Sequence, residues 1–135
     1  IKYIISYVFC TVIANILFII YPTYVDRPVV TGTSILELIT RIVFWVDTPA
    51  QNCFPSLHCA VSMLFILYMF ECKKCPLYLK ILTLIISILI MIATLCTKQH
   101  VFIDLVSGDV LAIVSYIIVN NLKKTNKKVK ELLAL

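Results

Sequence analysis

Glycine, proline and charged residues are all scarce in this sequence. Its 135 residues include 2 glycines and 5 prolines, and only 14% of them are charged. The sequence contains no low-complexity tract and no internal repeat, which indicates a single domain over residues 1–135. A soluble domain is usually about 45–50% apolar. This chain is 61% hydrophobic with a mean hydropathy of +1.02, which predicts an all-helical integral membrane protein.

Neither the charge nor the cysteines indicate a nucleic-acid or zinc site. The net charge is +5, but five lysines lie in residues 123–135, directly after an apolar run. Such a basic tail is typical of a cytoplasmic anchor beside anionic lipid, and no nucleic-acid motif accompanies it. Cys72 and Cys75 have ligand-like spacing, but no second pair or histidine cluster completes a zinc site. The six cysteines are expected to be reduced thiols.

The apolar runs predict a helical bundle with four spans and one interfacial helix. The spans are expected at about residues 3–21, 56–70, 77–96 and 101–122. The second is short, so its start is expected below the membrane surface, lining a polar cavity. In the connecting residues 22–55, Thr33 or Ser34 can cap a short helix together with Glu37. That helix is too short and too charged to span, and Trp45 should lie at headgroup level.

Alternating spans bring three polar clusters to one side of the membrane. Lys2, the loop after the second span with Lys80, and the tail hold nine of the twelve Lys and Arg residues. The positive-inside rule makes that side cytoplasmic. The ends that carry Arg27, His58 and His100 then all face the extracytoplasmic side.

His100 and Asp104 form the most informative of these clusters. They are four residues apart, so they share a face if the chain from Val101 onward is helical. A carboxylate can hold one imidazole nitrogen and leave the other free to act as a nucleophile or base. The alternative is a polar pair that only fixes helix packing. Asp109 lies on another face, and we expect no more of it than a buried polar contact.

The other clusters add groups that bind anions. Ser56 and His58 begin the second span, where free backbone N–H groups and the helix dipole favour an anion. Arg27 offers a fork of donors that suits phosphate oxygens, and Lys98 offers a second positive charge. Taken alone, Ser56 is also explained as a helix cap, His58 as a buried imidazole, and both cations as interfacial side chains.

Together these residues suit phosphoryl transfer without a metal. One histidine would attack the phosphorus, the cations would stabilise the equatorial oxygens, and the other histidine would protonate the leaving oxygen. The sequence offers no carboxylate cluster for Mg²⁺ on this side of the membrane. No cofactor is expected.

Three motifs in the chain resemble those of a known family. Arg27-Pro28, Pro55-Ser56-Leu57-His58 and His100 with Asp104 follow in the order seen in the type 2 phosphatidic acid phosphatase superfamily. That superfamily comprises integral membrane lipid phosphatases and phosphotransferases. The resemblance implies that His100 is the nucleophile, that Asp104 orients it and that His58 is the general acid. Arg27, Ser56 and backbone N–H groups would bind the phosphate.

The chain departs from the family pattern at several positions. The lysine expected before Arg27 falls at Ile20, and Leu57 replaces a glycine. The Ser-Arg pair expected before the nucleophile falls at Ala93-Thr94, and Lys98 is expected to compensate for one lost cation. The combined pattern looks more like the branch related to inositol-phosphoceramide synthases. Members commonly have six spans, so the chain is expected to be the catalytic part of that fold, with the two missing spans before Ile1.

The sequence therefore predicts a membrane lipid phosphatase. It would hydrolyse a lipid phosphate monoester or diphosphate through a phosphohistidine, independently of metal. One alternative is a phosphotransferase that moves a phospho-headgroup between lipids. A further alternative is a non-catalytic membrane bundle. The expected partners are the lipid phosphate and the bilayer, and the sequence does not indicate an oligomeric state.

Overall fold

Five helices make up the computed structural model, which describes residues 1–48 and 51–133, with side chains as far as residue 122. The helices are α1 (Lys2–Ile20), α2 (Ile35–Val46), α3 (Leu57–Glu71), α4 (Leu77–Cys96) and α5 (Phe102–Leu133). The described residues contain no strand, only an isolated antiparallel bridge between Tyr24 and Gln51. The predicted all-helical fold is confirmed.

Three helices are long and apolar enough to cross a membrane. They are Lys2–Ile20, Leu77–Cys96 and the first part of α5, Phe102–Leu122. The predicted second span, α3, has 15 residues, or about 22 Å of helix, against about 30 Å of hydrocarbon. Judged by helix length and composition, the structure therefore supports three membrane spans. A fourth crossing by α3 and the six-span fold stay predictions.

The bundle is built around α3, which packs against α1, α4 and α5. Its interior holds small and hydroxyl side chains, while large aliphatic side chains point outward. This is the arrangement expected in lipid, where small residues let helices approach closely and hydroxyls find partners inside the bundle. The central cluster is small: Cys10, Ala60, Leu64 and Ala112.

Side-chain caps set the beginnings of two helices. At α2, Ser34 accepts a hydrogen bond from the backbone of Glu37, and the Glu37 carboxylate accepts one from the backbone of Ser34. This confirms the predicted capping box. At α3, the Ser56 hydroxyl accepts a bond from the N–H of Cys59. The second cap fixes the position at which the sequence Leu57-His58 enters helix α3.

The two ends of the bundle differ in chemistry. At one end the ammonium of Lys2 pairs with Glu71, and the hydroxyls of Ser6 and Tyr68 share a 2.7 Å hydrogen bond, so the start of α1 is tied to the end of α3. At the other end, the backbone N–H groups of Cys53 and Phe54 donate to the Thr23 hydroxyl. The chain after α1 is thereby fastened beside the start of α3.

Candidate active site

His100 lies in a tight loop between α4 and α5. Lys98 adopts a left-handed conformation with φ of 51°, which ends α4 and turns the chain. The backbone N–H groups of Gln99 and His100 both donate to the carbonyl of Thr94, at 3.0 and 3.3 Å. The imidazole is therefore held on a short, well-bonded loop, and the residue is only 9% exposed.

Asp104 lies behind His100 in the first turn of α5. Its Oδ2 accepts a 2.9 Å hydrogen bond from the N–H of Val101, which caps the helix, and lies 3.6 Å from Nδ1 of His100. Among the described residues, Nδ1 of His100 has no hydrogen-bond partner. The predicted pairing of these side chains is present as a close ion-pair geometry, with a gap too long for a full hydrogen bond.

His58 brings the second imidazole to the first. It lies in the first turn of α3, and its Nδ1 is 3.3 Å from Nε2 of His100. The ring centroids are 5.5 Å apart at an interplanar angle of 62°. His58 is exposed, whereas His100 is buried. Nε2 of His100, the ring nitrogen on the side away from Asp104, therefore lies next to a second and more accessible imidazole.

Helices α3 and α5 touch where the two imidazoles meet. The N–H of Ser56 donates to the carbonyl of Asp104 over 3.0 Å. A Cβ added to Gly108, one turn further along α5, would lie 2.3 Å from the carbonyl oxygen of Ser56. Only glycine fits that approach without a shift of backbone. A role for Gly108 could not be predicted from the sequence, because its contact with Ser56 depends on where helices α3 and α5 cross.

Arg27 reaches the same place from the segment after α1. Its side chain is only 10% exposed. Nη1 donates to the backbone carbonyl of Asp47 over 2.9 Å, and Nη2 pairs with Oδ2 of the same residue. The guanidinium also lies 5.0 Å from the centre of the Phe44 ring. The last turn of α2 thus holds Arg27, a contact that the sequence did not predict.

A polar cavity of about 120 Å³ lies between these side chains. This is enough space for one tetrahedral phosphate group or a few water molecules. The lining residues come from six separate stretches of the chain: Phe18, Arg27, Asp47, Gln51, Asn52, Cys53, Leu57, His58, Gln99 and His100. The structure therefore brings Arg27, His58 and His100 to one cavity, with Asp104 directly behind His100.

Two of the predicted phosphate-binding residues lie outside the cavity lining. Ser56 is fully buried, and its hydroxyl caps α3. Lys98 is exposed to solvent. The described residues contain no group of three His, Cys, Asp or Glu side chains that could hold a metal ion.

Burial and a neighbouring ring lower the pKa of His100 from its ordinary value. Desolvation is the largest cause, and the adjacent His58 acts in the same direction, while Asp104 opposes them. His100 therefore keeps an unprotonated nitrogen at pH values somewhat below the usual histidine range. An imidazole must be unprotonated to act as a nucleophile, so the surroundings of His100 favour its reactive form at neutral pH.

Comparison with known proteins identifies the family. No curated protein and no solved structure matches the chain significantly. A family model described as the PAP2 superfamily matches residues 2–118. That match covers the helices and loops that carry Arg27, His58, His100 and Asp104, as the resemblance of the three motifs predicted. The chain belongs to the PAP2 superfamily.

Proposed function

We propose that the protein is an integral membrane lipid phosphatase that forms a phosphohistidine on His100. Membership of the PAP2 superfamily suggests phosphatase or phosphotransferase activity. The observation that carries the finer assignment is the 3.3 Å approach of His58 Nδ1 to His100 Nε2 at a cavity also lined by Arg27. The proposed substrate is a lipid phosphate monoester or diphosphate.

In the first proposed step, the lone pair on Nε2 of His100 attacks the phosphorus of the substrate. A P–N bond forms, the bond from phosphorus to the lipid oxygen breaks, and His58 gives a proton to that leaving oxygen. Asp104 stabilises the positive charge that develops on the His100 ring, and Arg27 stabilises the phosphoryl oxygens. No metal or cofactor takes part in these steps.

In the second step, water attacks the phosphohistidine. His58, now unprotonated, accepts a proton from that water, the P–N bond breaks and inorganic phosphate leaves. His58 is exposed, so a water molecule or a second alcohol can approach it from outside the bundle. The two imidazoles and the carboxylate then return to their starting protonation states.

A phosphotransferase is the second candidate, and the charge of the cavity favours it. Arg27 is the one permanently cationic side chain among the described lining residues, and its charge is offset by Asp47. A buried charge without compensation is costly, so a phosphodiester with one negative charge suits this cavity better than a monoester with two. Transfer of a phospho-headgroup between lipids starts from such a diester, as in the inositol-phosphoceramide-synthase-like branch.

A product panel with the purified protein tests both candidates. Phosphatidate, phosphatidylglycerophosphate and polyprenyl diphosphate would be supplied in turn, with and without a chelator, followed by a phosphodiester lipid with a second lipid alcohol. We expect chelator-insensitive release of inorganic phosphate from at least one of the first three. Headgroup transfer without phosphate release would favour the phosphotransferase. Neither release nor transfer from any lipid would contradict both.

We further propose that the active site faces the extracytoplasmic side and that the tail of residues 123–135 is cytoplasmic. The distribution of Lys and Arg residues supports this orientation. Cys72 and Cys75 lie between α3 and α4, at the end of the bundle opposite His100, and Cys96 ends α4 near His100.

Single-cysteine variants measure that orientation in vesicles. A membrane-impermeant maleimide should label Cys72 only in inside-out vesicles and Cys96 only in right-side-out vesicles. Cys96 is exposed in the structure and so serves as the matched control for the other end. Labelling in the reverse sense would contradict the orientation, and labelling of both cysteines from one side would contradict the crossing by α4.

A further inference from the structure

Asp47 holds Arg27 by one edge of its guanidinium group. Nη1 and Nη2, at the end of the side chain, are directed at the carbonyl and the carboxylate of Asp47. Phe44, one turn earlier on α2, covers a face of the same group. An arginine side chain carries five N–H donors in a rigid, planar fork. When one edge of the guanidinium is bound, the remaining donors therefore point in a defined direction.

The other edge of Arg27 has no partner in the described part of the chain. Nε is buried and makes no hydrogen bond there. Buried donors are nearly always satisfied in native structures, so an orphaned N–H at a polar cavity indicates a missing acceptor. The cavity that Arg27 lines also contains His58 and His100. A phosphate oxygen placed there would accept from Nε and Nη2 together, as bidentate pairs do.

We propose that Asp47 is a positioning residue that fixes Arg27 so that its Nε edge binds the substrate phosphate beside His100. The inference rests on the proposed function, since it concerns the same phosphate. Asp47 would not touch the reacting atoms. It would act through Arg27. Because Asp47 already fixes the rotamer of this long side chain, less conformational entropy is lost when the phosphate binds.

Asp47 also connects Arg27 to the loop of the nucleophile. The side-chain amide of Gln99 donates to Oδ2 of Asp47 over 3.1 Å, and Gln99 directly precedes His100. Gln99 is in turn held by the hydroxyl of Thr97 at 3.2 Å. Oδ2 of Asp47 thus accepts hydrogen bonds both from Arg27 and from the loop that carries His100. That arrangement fixes the distance between the cation and the nucleophile.

Two nearly isosteric variants test the role of Asp47. Asp47→Leu removes the acceptor, whereas Asp47→Asn keeps an acceptor oxygen in the same place. We expect Asp47→Leu to weaken the binding of inorganic phosphate and of orthovanadate about tenfold, measured by calorimetry on the purified protein. We expect Asp47→Asn to retain most of the affinity. Asp26→Asn, which removes an exposed carboxylate next to Arg27 and outside the cavity, is the matched control.

A double-mutant cycle shows whether Asp47 acts through Arg27. In an Arg27→Leu background, the further change Asp47→Leu should alter phosphate binding less than twofold. An undiminished effect there, or phosphate binding by Asp47→Leu that equals or exceeds that of the unmodified protein, would overturn the proposal. Should Asp47→Leu not fold, Asp47→Ala, which also lacks a side-chain acceptor, gives the same comparison.

The outcomes separate this proposal from the proposed function. Phosphate binding does not require turnover, so it can be measured in the His100→Ala protein as well. If His100→Ala keeps full phosphate release, the proposed function fails whatever Asp47 does. If His100→Ala is inactive while Asp47→Leu binds phosphate normally, only the role of Asp47 fails.

Discussion

Replacing His100 with alanine should reduce phosphate release by about ten-thousandfold or more. A group that forms the covalent intermediate cannot be bypassed by its neighbours, and removal of such nucleophiles typically costs this much. The phosphoenzyme should disappear as well. Brief incubation with a labelled lipid phosphate, followed by an alkaline quench, should trap an acid-labile phosphoprotein in the unmodified chain and none in the variant.

The variant is expected to fold, because the backbone N–H of His100 and not its ring fastens the loop to Thr94. Helical content by circular dichroism checks this. Cys96→Ser, an exposed position at the end of α4 close to the loop, is the matched control and should retain its activity. Phosphate release by His100→Ala equal to that of the control would show that no phosphohistidine forms there.

Replacing Gly108 with alanine should separate the two imidazoles without touching either. The added Cβ would lie 2.3 Å from the carbonyl oxygen of Ser56, which is backbone and cannot rotate away. Helices α3 and α5 must therefore move apart, which costs about 1–3 kcal/mol in a packed interior. A displacement of about 1 Å at a reacting centre can lower the rate about 100-fold. We expect loss of activity and a lower unfolding temperature.

A change of similar size on the lipid side of α5 provides the comparison. Val110→Ile adds one carbon at a position that is 53% exposed, so it should leave both activity and unfolding temperature near those of the unmodified protein. The measurements are phosphate release and thermal unfolding of the two variants in the same membrane mimetic. Normal values for Gly108→Ala would show that the contact between α5 and Ser56 does not set the geometry of the histidine pair.

The site is partly readable from the sequence because several of its contacts are local. His100 and Asp104 are neighbours on one helical turn, and Ser34 with Glu37 forms a capping box from residues three apart. Such contacts follow from helix periodicity alone. The alternation of apolar runs also placed Arg27, His58 and His100 at the same end of the bundle, and the cavity joins them.

The remaining contacts depend on tertiary placement. Asp47 meets Arg27 and Gln99 because α2 ends beside the cavity, and no periodic pattern gives the position of an isolated helix end. Gly108 has its role because two helices cross at that residue. For Ser56 and Lys98, phosphate binding stays a prediction. They are close to the histidines in sequence, yet the side chain of one caps a helix and that of the other points to solvent.

The attachment of α2 has a consequence for the choice of amphiphile. This helix makes no extensive contact with the other described helices, and most of its aliphatic side chains are exposed. Yet its last turn holds Arg27. If α2 lies at the membrane interface, as the sequence predicts, its tilt and depth are set largely by the leaflet that receives its apolar face. Lateral pressure and lipid packing would then reach Arg27 through this helix, and a curved micelle supplies neither in the form that a flat bilayer does. On that basis we expect phosphate release to be faster in flat bilayers than in detergent micelles.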